Sequence, residues 1–320
     1  MTELTYPDIE AAAERIAGRV RPVAVAPSDK DGLVFALEFM QHTGTFKARG
    51  AQNFIQAHLA EGTFPEAGVT IASGGNAGLA CAWAGRAAGV TATVFLPTTA
   101  PSVKVERLRS YGARVELVGS EYAEAAAACQ EFVDSSGALA SHAYDHPLIA
   151  AGAGTLMTEI LTQVPDLDTV VVSVGGGGLF AGVATAATHH GVRTVAVEPE
   201  NCRALNAAVE AGEPVDVTVD SLAADSLGAR RVTPLALEAA RSDLVTSVLV
   251  SDEAIIGARQ HLWDDHRLAV EHAAATALAG VRGQYGESAS DGKTVSGYVP
   301  VEGEKVCVVL CGANTSLGDL

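Results

Sequence analysis

Lysine is scarce in this chain of 320 residues: there are five, at positions 30, 47, 104, 293 and 305. Lysine and arginine together number 21 against 38 acidic residues, a formal charge of −17. A surface that acidic repels phosphate backbones and anionic bilayers, which argues against nucleic acid and membranes as partners. Cysteine is used just as sparingly. The five, at 81, 129, 202, 307 and 311, are odd in number and form no C-x-x-C pair, so neither a disulfide framework nor a zinc site is expected. Such thiol usage suits a reducing cytoplasm. The opening MTELTYPDIEAAAERIAG lacks the apolar core of a secretory signal. One uncharged run, residues 169–192, is long enough to span a bilayer, but its four glycines and its His189-His190 pair suit a buried strand, turn and helix better. Fixed-period repeats and low-complexity tails are lacking too. The long polar stretch 283–304 reads as a surface loop.

What is present is the composition of a folded protein, 48% hydrophobic and 18% charged. Strand-like and helix-like segments alternate. Strands are expected over 34–38, 69–73, 91–96, 114–118, 194–198, 244–250 and 305–310. Helices are expected over 45–59, 76–88, 103–111, 121–133, 148–161, 202–211, 252–266 and 269–282. Alternation of this kind implies α/β architecture, a mostly parallel sheet with helices on both faces. Ligands in such sheets sit beyond the carboxyl ends of the strands. Chemistry is therefore expected in the turns around Lys47, residues 73–76, residues 175–178, Glu198 and Cys311.

In VVVSVGGGGLFAGVA, residues 170–184, β-branched residues run into four glycines and then a small-residue helix. Main-chain N–H groups at such a turn can hold a phosphate. Gly176-Gly177-Gly178-Leu179-Phe180-Ala181 satisfies G-x-G-x-x-A, and Glu198 lies 22 residues beyond Gly176, as a dinucleotide site would have it. A run of glycines satisfies several such patterns at once. On this stretch alone a dinucleotide, a smaller phosphate and close helix packing all remain open. Lys47, in LEFMQHTGTFKARGA, follows Phe46 at the start of an expected helix. An amine in that setting has reason to be depressed in pKa and to attack an aldehyde, although a lysine snorkelling off the first turn has the same spacing.

The segments HTGTFKARGA, ASGGNAGLACAWAG, LPTTAPSVKVERLRSYGA, HAYDHPLIAAGAGTLMTEI, VVSVGGGGLFAGVA, VAVEPE and VVLCGANTS occur in this order along the chain. Together they resemble the fold-type II pyridoxal-phosphate enzymes, specifically the threonine/serine dehydratase and serine racemase family. The resemblance implies two open, mostly parallel twisted sheets flanked by helices, as in tryptophan synthase β. It implies a large domain from 1–55 and 146–320, a small mobile domain from 56–145, and no C-terminal regulatory domain. By the same resemblance, Lys47 is the Schiff-base lysine and Phe46 lies against the ring of pyridoxal 5'-phosphate. Ser73, Gly74, Gly75, Asn76 and Ala77 form the substrate-carboxylate loop, with Asn76 also facing the cofactor. Gly175, Gly176, Gly177, Gly178 and Leu179 form the phosphate cup, and Cys311 stands beside the pyridine nitrogen. The Rossmann reading then falls away.

The expected activity is a cytoplasmic, homodimeric lyase that eliminates ammonia from L-threonine and/or L-serine to leave a 2-oxo acid. Gly74 replaces the serine that returns a proton in serine racemases, which favours elimination. Ala204 replaces an aspartate of the family's cation cluster beside Glu198 and Cys202, so no metal site is expected. Ala153 and His272 replace a Gln and a Pro of the family, which leaves another β-hydroxy amino acid, of 3-hydroxyaspartate or phenylserine type, as an alternative substrate. A β-replacing, cysteine synthase-like enzyme, a dinucleotide-dependent oxidoreductase and a silent amino-acid sensor are the other readings. The cluster His142-Ala143-Tyr144-Asp145-His146 matches no metal-site spacing. His189-His190 fits a helix end, and Asp264-Asp265 a solvated face.

Overall fold

A computed structural model describes residues 3–282, 297–316 and 318. Most of the expected polar loop, 283–296, lies outside the described residues. The strands are β1 (Val25–Pro27), β2 (Leu33–Ala36), β3 (Val69–Ile71), β4 (Ala92–Leu96), β5 (Arg114–Leu117), β6 (Leu139–Ala140), β7 (Thr169–Ser173), β8 (Arg193–Pro199), β9 (Val245–Val250) and β10 (Val306–Val309). One sheet runs β1-β2-β10-β7-β8-β9 and the other β5-β4-β3-β6. Every pairing is parallel except that of β1 with β2. The chain is thus an α/β protein with two mostly parallel sheets flanked by helices.

β7, Thr-Val-Val-Val-Ser, is buried along its whole length. A strand covered on both faces needs continuous β-branched residues instead of alternation, and that is its sequence. The uncharged run 169–192 is this strand, the glycine turn and the helix Gly178–His189. Among the described residues, no helix is long and apolar enough to cross a membrane.

Helices cross at glycines where backbones nearly touch. A Cβ on Gly182 would stand 2.3 Å from the Ala150 carbonyl oxygen, so the helix Gly178–His189 lies directly on the helix Pro147–Gln163. On the same helix, a Cβ on Gly152 would stand 2.7 Å from the Arg49 carbonyl, which brings the helix Lys47–Ala60 equally close. The glycine turn and Lys47 are therefore referred to one shared helix.

Three helices start two or more residues later than their sequence suggests. The one expected from 45 runs Lys47–Ala60, because Thr45 bridges Gly312 and the N–H of Phe46 donates to the Cys311 carbonyl. The one expected from 202 runs Ala204–Ala211, because the buried Glu198 carboxylate accepts the N–H groups of Leu205 and Asn206 and fixes the first turn there. The one expected from 269 runs His272–Ala279. The N–H of Glu271 donates instead to the Gly312 carbonyl at 3.0 Å, which holds Glu271 extended as the N-cap. An unexpected helix, Tyr6–Ile16, begins with a capping box between Thr5 and Asp8.

Candidate active site

Lys47 stands where three segments meet. Thr45 bridges Gly312, and the N–H of Phe46 donates to the Cys311 carbonyl at 3.0 Å, so the residues before the lysine are fixed to the exit of β10. Lys47 then opens its helix. Its Nζ donates to the Ala143 carbonyl at 2.7 Å and lies 4.7 Å from the Phe46 ring centre and 5.9 Å from that of Tyr144. Burial lowers the amine from 10.5 to about 8, against a weaker upward pull from Cys311 and Glu271. A neutral amine is thereby accessible near physiological pH.

Two residues on, Arg49 is fully buried and clamps the helix. Its guanidinium meets Glu38 at 2.7 Å and Glu159 at 2.7 Å, and also the Thr155 hydroxyl and the Arg21 carbonyl. Glu159 in turn accepts the N–H of Val23. The lysine's first turn is thus tied to the helix Pro147–Gln163 and to the N-terminal segment.

The glycine turn follows β7. Gly177, at φ 96°, N-caps the helix Gly178–His189 with no side-chain acceptor on its first N–H groups. A Cβ on Gly176 would lie 2.3 Å from the Tyr144 ring, one on Gly177 2.4 Å from Ala236 Cβ, and one on Gly175 3.0 Å from Leu227 Cα. On Gly178 it would meet the Tyr144 carbonyl at 2.9 Å. Side chains are excluded all round, so what faces the turn meets main-chain N–H groups at a helix's positive end. Leu179 is buried in the core behind it.

The loop of residues 73–77 closes the other side. Ser73 Oγ accepts the Gly75 N–H at 3.4 Å, and Gly75 N-caps the helix Asn76–Ala88, again with no side-chain cap. Ala77 follows in its first turn. Asn76 is held at both ends: Nδ2 donates to Glu271, and Oδ1 accepts from Asn314 Nδ2 at 2.7 Å. A Cβ on Gly74 would meet Leu96 Cδ2 at 2.9 Å. Cys311 is buried 3.7 Å from Ser173 Oγ, and burial pushes its thiol up to about 12. A cleft of about 500 Å³ opens beside this loop, lined by Gly74, Gly75, Asn76, Glu271 and Asn314 among others.

These features fit pyridoxal phosphate. A partly buried amine of lowered pKa suits its aldehyde, an aromatic ring lies beside that amine, and side-chain-free N–H donors suit its phosphate. A neutral thiol suits an unprotonated pyridine nitrogen.

Other flagged residues fall elsewhere, except His272, which lines the same cleft. Ala153 is buried in the main core. His272 starts the helix after Glu271, with Nε2 3.3 Å from Arg259. Glu198, pushed up to about 7 by burial, is occupied in capping a helix. His142 Nδ1 accepts the N–H groups of Tyr144 and Asp145, closing a turn. His189 stacks on Tyr6 at the end of its helix. Glu271, Asn314 and Tyr144 were missed, although each lies within three residues of a position the motifs single out. Arg107, which also lines the cleft, falls inside the segment LPTTAPSVKVERLRSYGA, where no role attaches to it.

A family model described as pyridoxal-phosphate dependent enzyme matches residues 21–312. The L-threonine ammonia-lyase of Geobacter sulfurreducens is 37% identical over 284 residues, 86% of this chain and 70% of that one. A serine dehydratase-like protein of Mus musculus is 34% identical over 317 residues, 95% and 94% of the two chains. The structure of maize serine racemase superposes with a TM-score of 0.86 at 29% identity, covering 99% of this chain and 96% of that one.

Proposed function

The chain belongs to the pyridoxal-phosphate-dependent enzymes, and from that premise we propose that it is an ammonia-lyase converting a β-hydroxy amino acid, L-threonine or L-serine, to a 2-oxo acid and ammonia. The observation that carries this reading is the Lys47 amine, lowered to about 8 and set between the Phe46 ring and Tyr144, whose own ring packs on Gly176. Relatives named for threonine ammonia-lyase and serine dehydratase support the choice of reaction.

When bound, pyridoxal phosphate supplies the electron sink that makes a Cα proton removable. The chain's residues do the rest. The N–H groups around Gly175, Gly176, Gly177 and Gly178, backed by Leu179, would hold the phosphate. Phe46 would lie against the ring. Ser73, Gly74, Gly75, Asn76 and Ala77 orient the substrate carboxylate at the uncapped start of a helix. Lys47 would carry the cofactor, and its amine is placed to take the substrate's Cα proton as base. Cys311, kept neutral by burial, would face the pyridine nitrogen without holding a proton on it. Gly74 offers no group to return a proton from the opposite face, and Leu96 crowds the space a side chain would need, which supports elimination over racemisation.

The second sheet, β3 to β6, supports a small domain over 56–145 that closes on a large one built from 1–55 and 146–320. Five buried, unpaired cysteines support a cytoplasmic setting. The assembly we propose is a homodimer.

The test is 2-oxo acid release by the purified holoenzyme offered L- and D-β-hydroxy amino acids. Release from an L-substrate that Lys47→Ala abolishes is the expected result. Silence across the whole panel, or turnover that survives Lys47→Ala, overturns the reading.

A further inference from the structure

We propose that Arg107, seconded by Lys104, selects β-hydroxy amino acids whose side chain ends in a carboxylate, the 3-hydroxyaspartate class; this rests on the lyase reading above.

Lys104 and Arg107 lie three residues apart on the helix Ser102–Ser110, so they share one face, and both line the cleft beside Asn76. Two carboxylates line it as well, and both are engaged. Glu271 accepts from Asn76 Nδ2, the Ser226 hydroxyl and the Asn314 N–H. Asp225 faces Lys104 at 3.5 Å. Arg107 donates through Nη2 to Asn314 Oδ1, a neutral amide oxygen, and among the described residues no carboxylate lies within ion-pair distance of it. One such contact occupies one of the five donors of a guanidinium, and the planar fork that remains matches a carboxylate.

Its position is as telling as its charge. Asn314, which Arg107 meets, also donates to Asn76 Oδ1 at 2.7 Å. The guanidinium is thus two hydrogen bonds from the loop that would hold the substrate's α-carboxylate. A dicarboxylate substrate would be gripped at both ends, by the loop and by the guanidinium. The methyl of threonine or the bare Cβ of serine gives a cation nothing to bind, and apolar contact alone discriminates weakly between such side chains. In a chain of formal charge −17, Lys104 and Arg107 balance Asp225 and Glu271 within the cleft, so the site itself adds nothing to the general repulsion of a dicarboxylate substrate.

The experiment measures kcat/KM of the holoenzyme for L-3-hydroxyaspartate, L-threonine and L-serine, in the wild type and in Arg107→Ala and Arg107→Lys. Hydroxyaspartate is expected to be the preferred substrate. Arg107→Ala is expected to lower its kcat/KM relative to that of L-serine roughly tenfold or more, chiefly through KM, with Arg107→Lys intermediate because it keeps the charge without the fork. A second readout uses L-aspartate, which lacks the leaving group. It should shift the cofactor's absorbance at lower concentration than L-alanine does, and Arg107→Ala should erase that difference. Turnover of threonine or serine without a hydroxyaspartate preference, or an unchanged substrate ratio in Arg107→Ala, overturns the Arg107 assignment alone. No 2-oxo acid from any substrate overturns the lyase reading, and the substrate class with it.

Discussion

The amide nitrogen of Asn76 lies 3.0 Å from both carboxylate oxygens of Glu271, across 195 positions of sequence. The pair joins the start of the helix Asn76–Ala88, next to the second sheet, to the N-cap of the helix His272–Ala279, next to the first. Asn314 closes the arrangement by donating its N–H to Glu271 and its side-chain amide to Asn76. The carboxylate therefore fixes which way the Asn76 amide points, and so acts on the site through Asn76.

Glu271→Gln tests this. The substitution keeps the shape but replaces an acceptor oxygen with an NH₂ that faces other donors. Losing one charge-assisted hydrogen bond costs about 1.5–3 kcal/mol, which is roughly 10- to 100-fold in rate. We expect kcat to fall by that much, with cofactor content little changed because Lys47 and the glycine turn keep their contacts, although the Lys47 amine loses the upward pull of the Glu271 charge. A fall confined to KM, or one repaired by no Asn76 substitution, would show that Glu271 does not work through Asn76.

The buried cluster around Arg49 makes a prediction about stability. Arg49→Met retains an unbranched apolar stem but leaves Glu38 buried without its partner and Glu159 half-satisfied. Removing one member of a buried ion pair typically costs about 3–5 kcal/mol. Burial already raises Glu38 above 4.5, and Arg49 opposes that rise. Without Arg49, Glu38 should take up a proton as pH falls, so the variant's deficit should shrink in mild acid. Urea unfolding at neutral and at mildly acidic pH reads both effects, and Arg49→Met combined with Glu38→Gln should recover part of the loss. A deficit that grows in acid would contradict the argument.

The parts of this site that could be read from sequence are those whose chemistry depends on a short local pattern. Gly175 to Gly178 announce a turn that admits no side chains, and Lys47 stands out because lysine is rare and its neighbours are apolar. Alternating β-branched and helical segments gave the α/β architecture for the same reason, since strand and helix periods are local. Glu271, Asn314 and Arg107 are different. Their roles arise only where β10, the helix His272–Ala279 and the helix Ser102–Ser110 are brought together, and nothing in the residues beside Arg107 marks it as facing a cleft. Helix starts near 45, 202 and 269 depart from the local pattern because groups outside each helix, Cys311 and Gly312, Glu198, and Gly312 again, supply the bonds that set them.

Lys47 itself sets a pH dependence in the cofactor-stripped protein. Its amine, ordinarily at 10.5, is held at about 8 by burial. Between these values the unfolded chain keeps a proton that the folded chain has released. Stability contributed at this position therefore rises with pH across that window. Below about 8 both states carry the charge, and the folded state bears the full cost of burying it. Lys47→Met removes the charge and keeps the length of the side chain. The stripped variant should accordingly be more stable than the stripped wild type near neutral pH, by on the order of 2 kcal/mol after discounting for the residue's partial exposure. That gap should narrow as pH climbs from about 8 toward about 10. Buried thiols such as Cys81 and Cys307, raised to about 12, push stability the opposite way above their ordinary value of 9.0, but they are common to both proteins and cancel in the difference. Paired urea titrations near neutral pH and near pH 10 decide the matter. A gap that stays constant across the window would mean that the amine is solvated in the folded state, and would remove the physical basis for its readiness to meet an aldehyde.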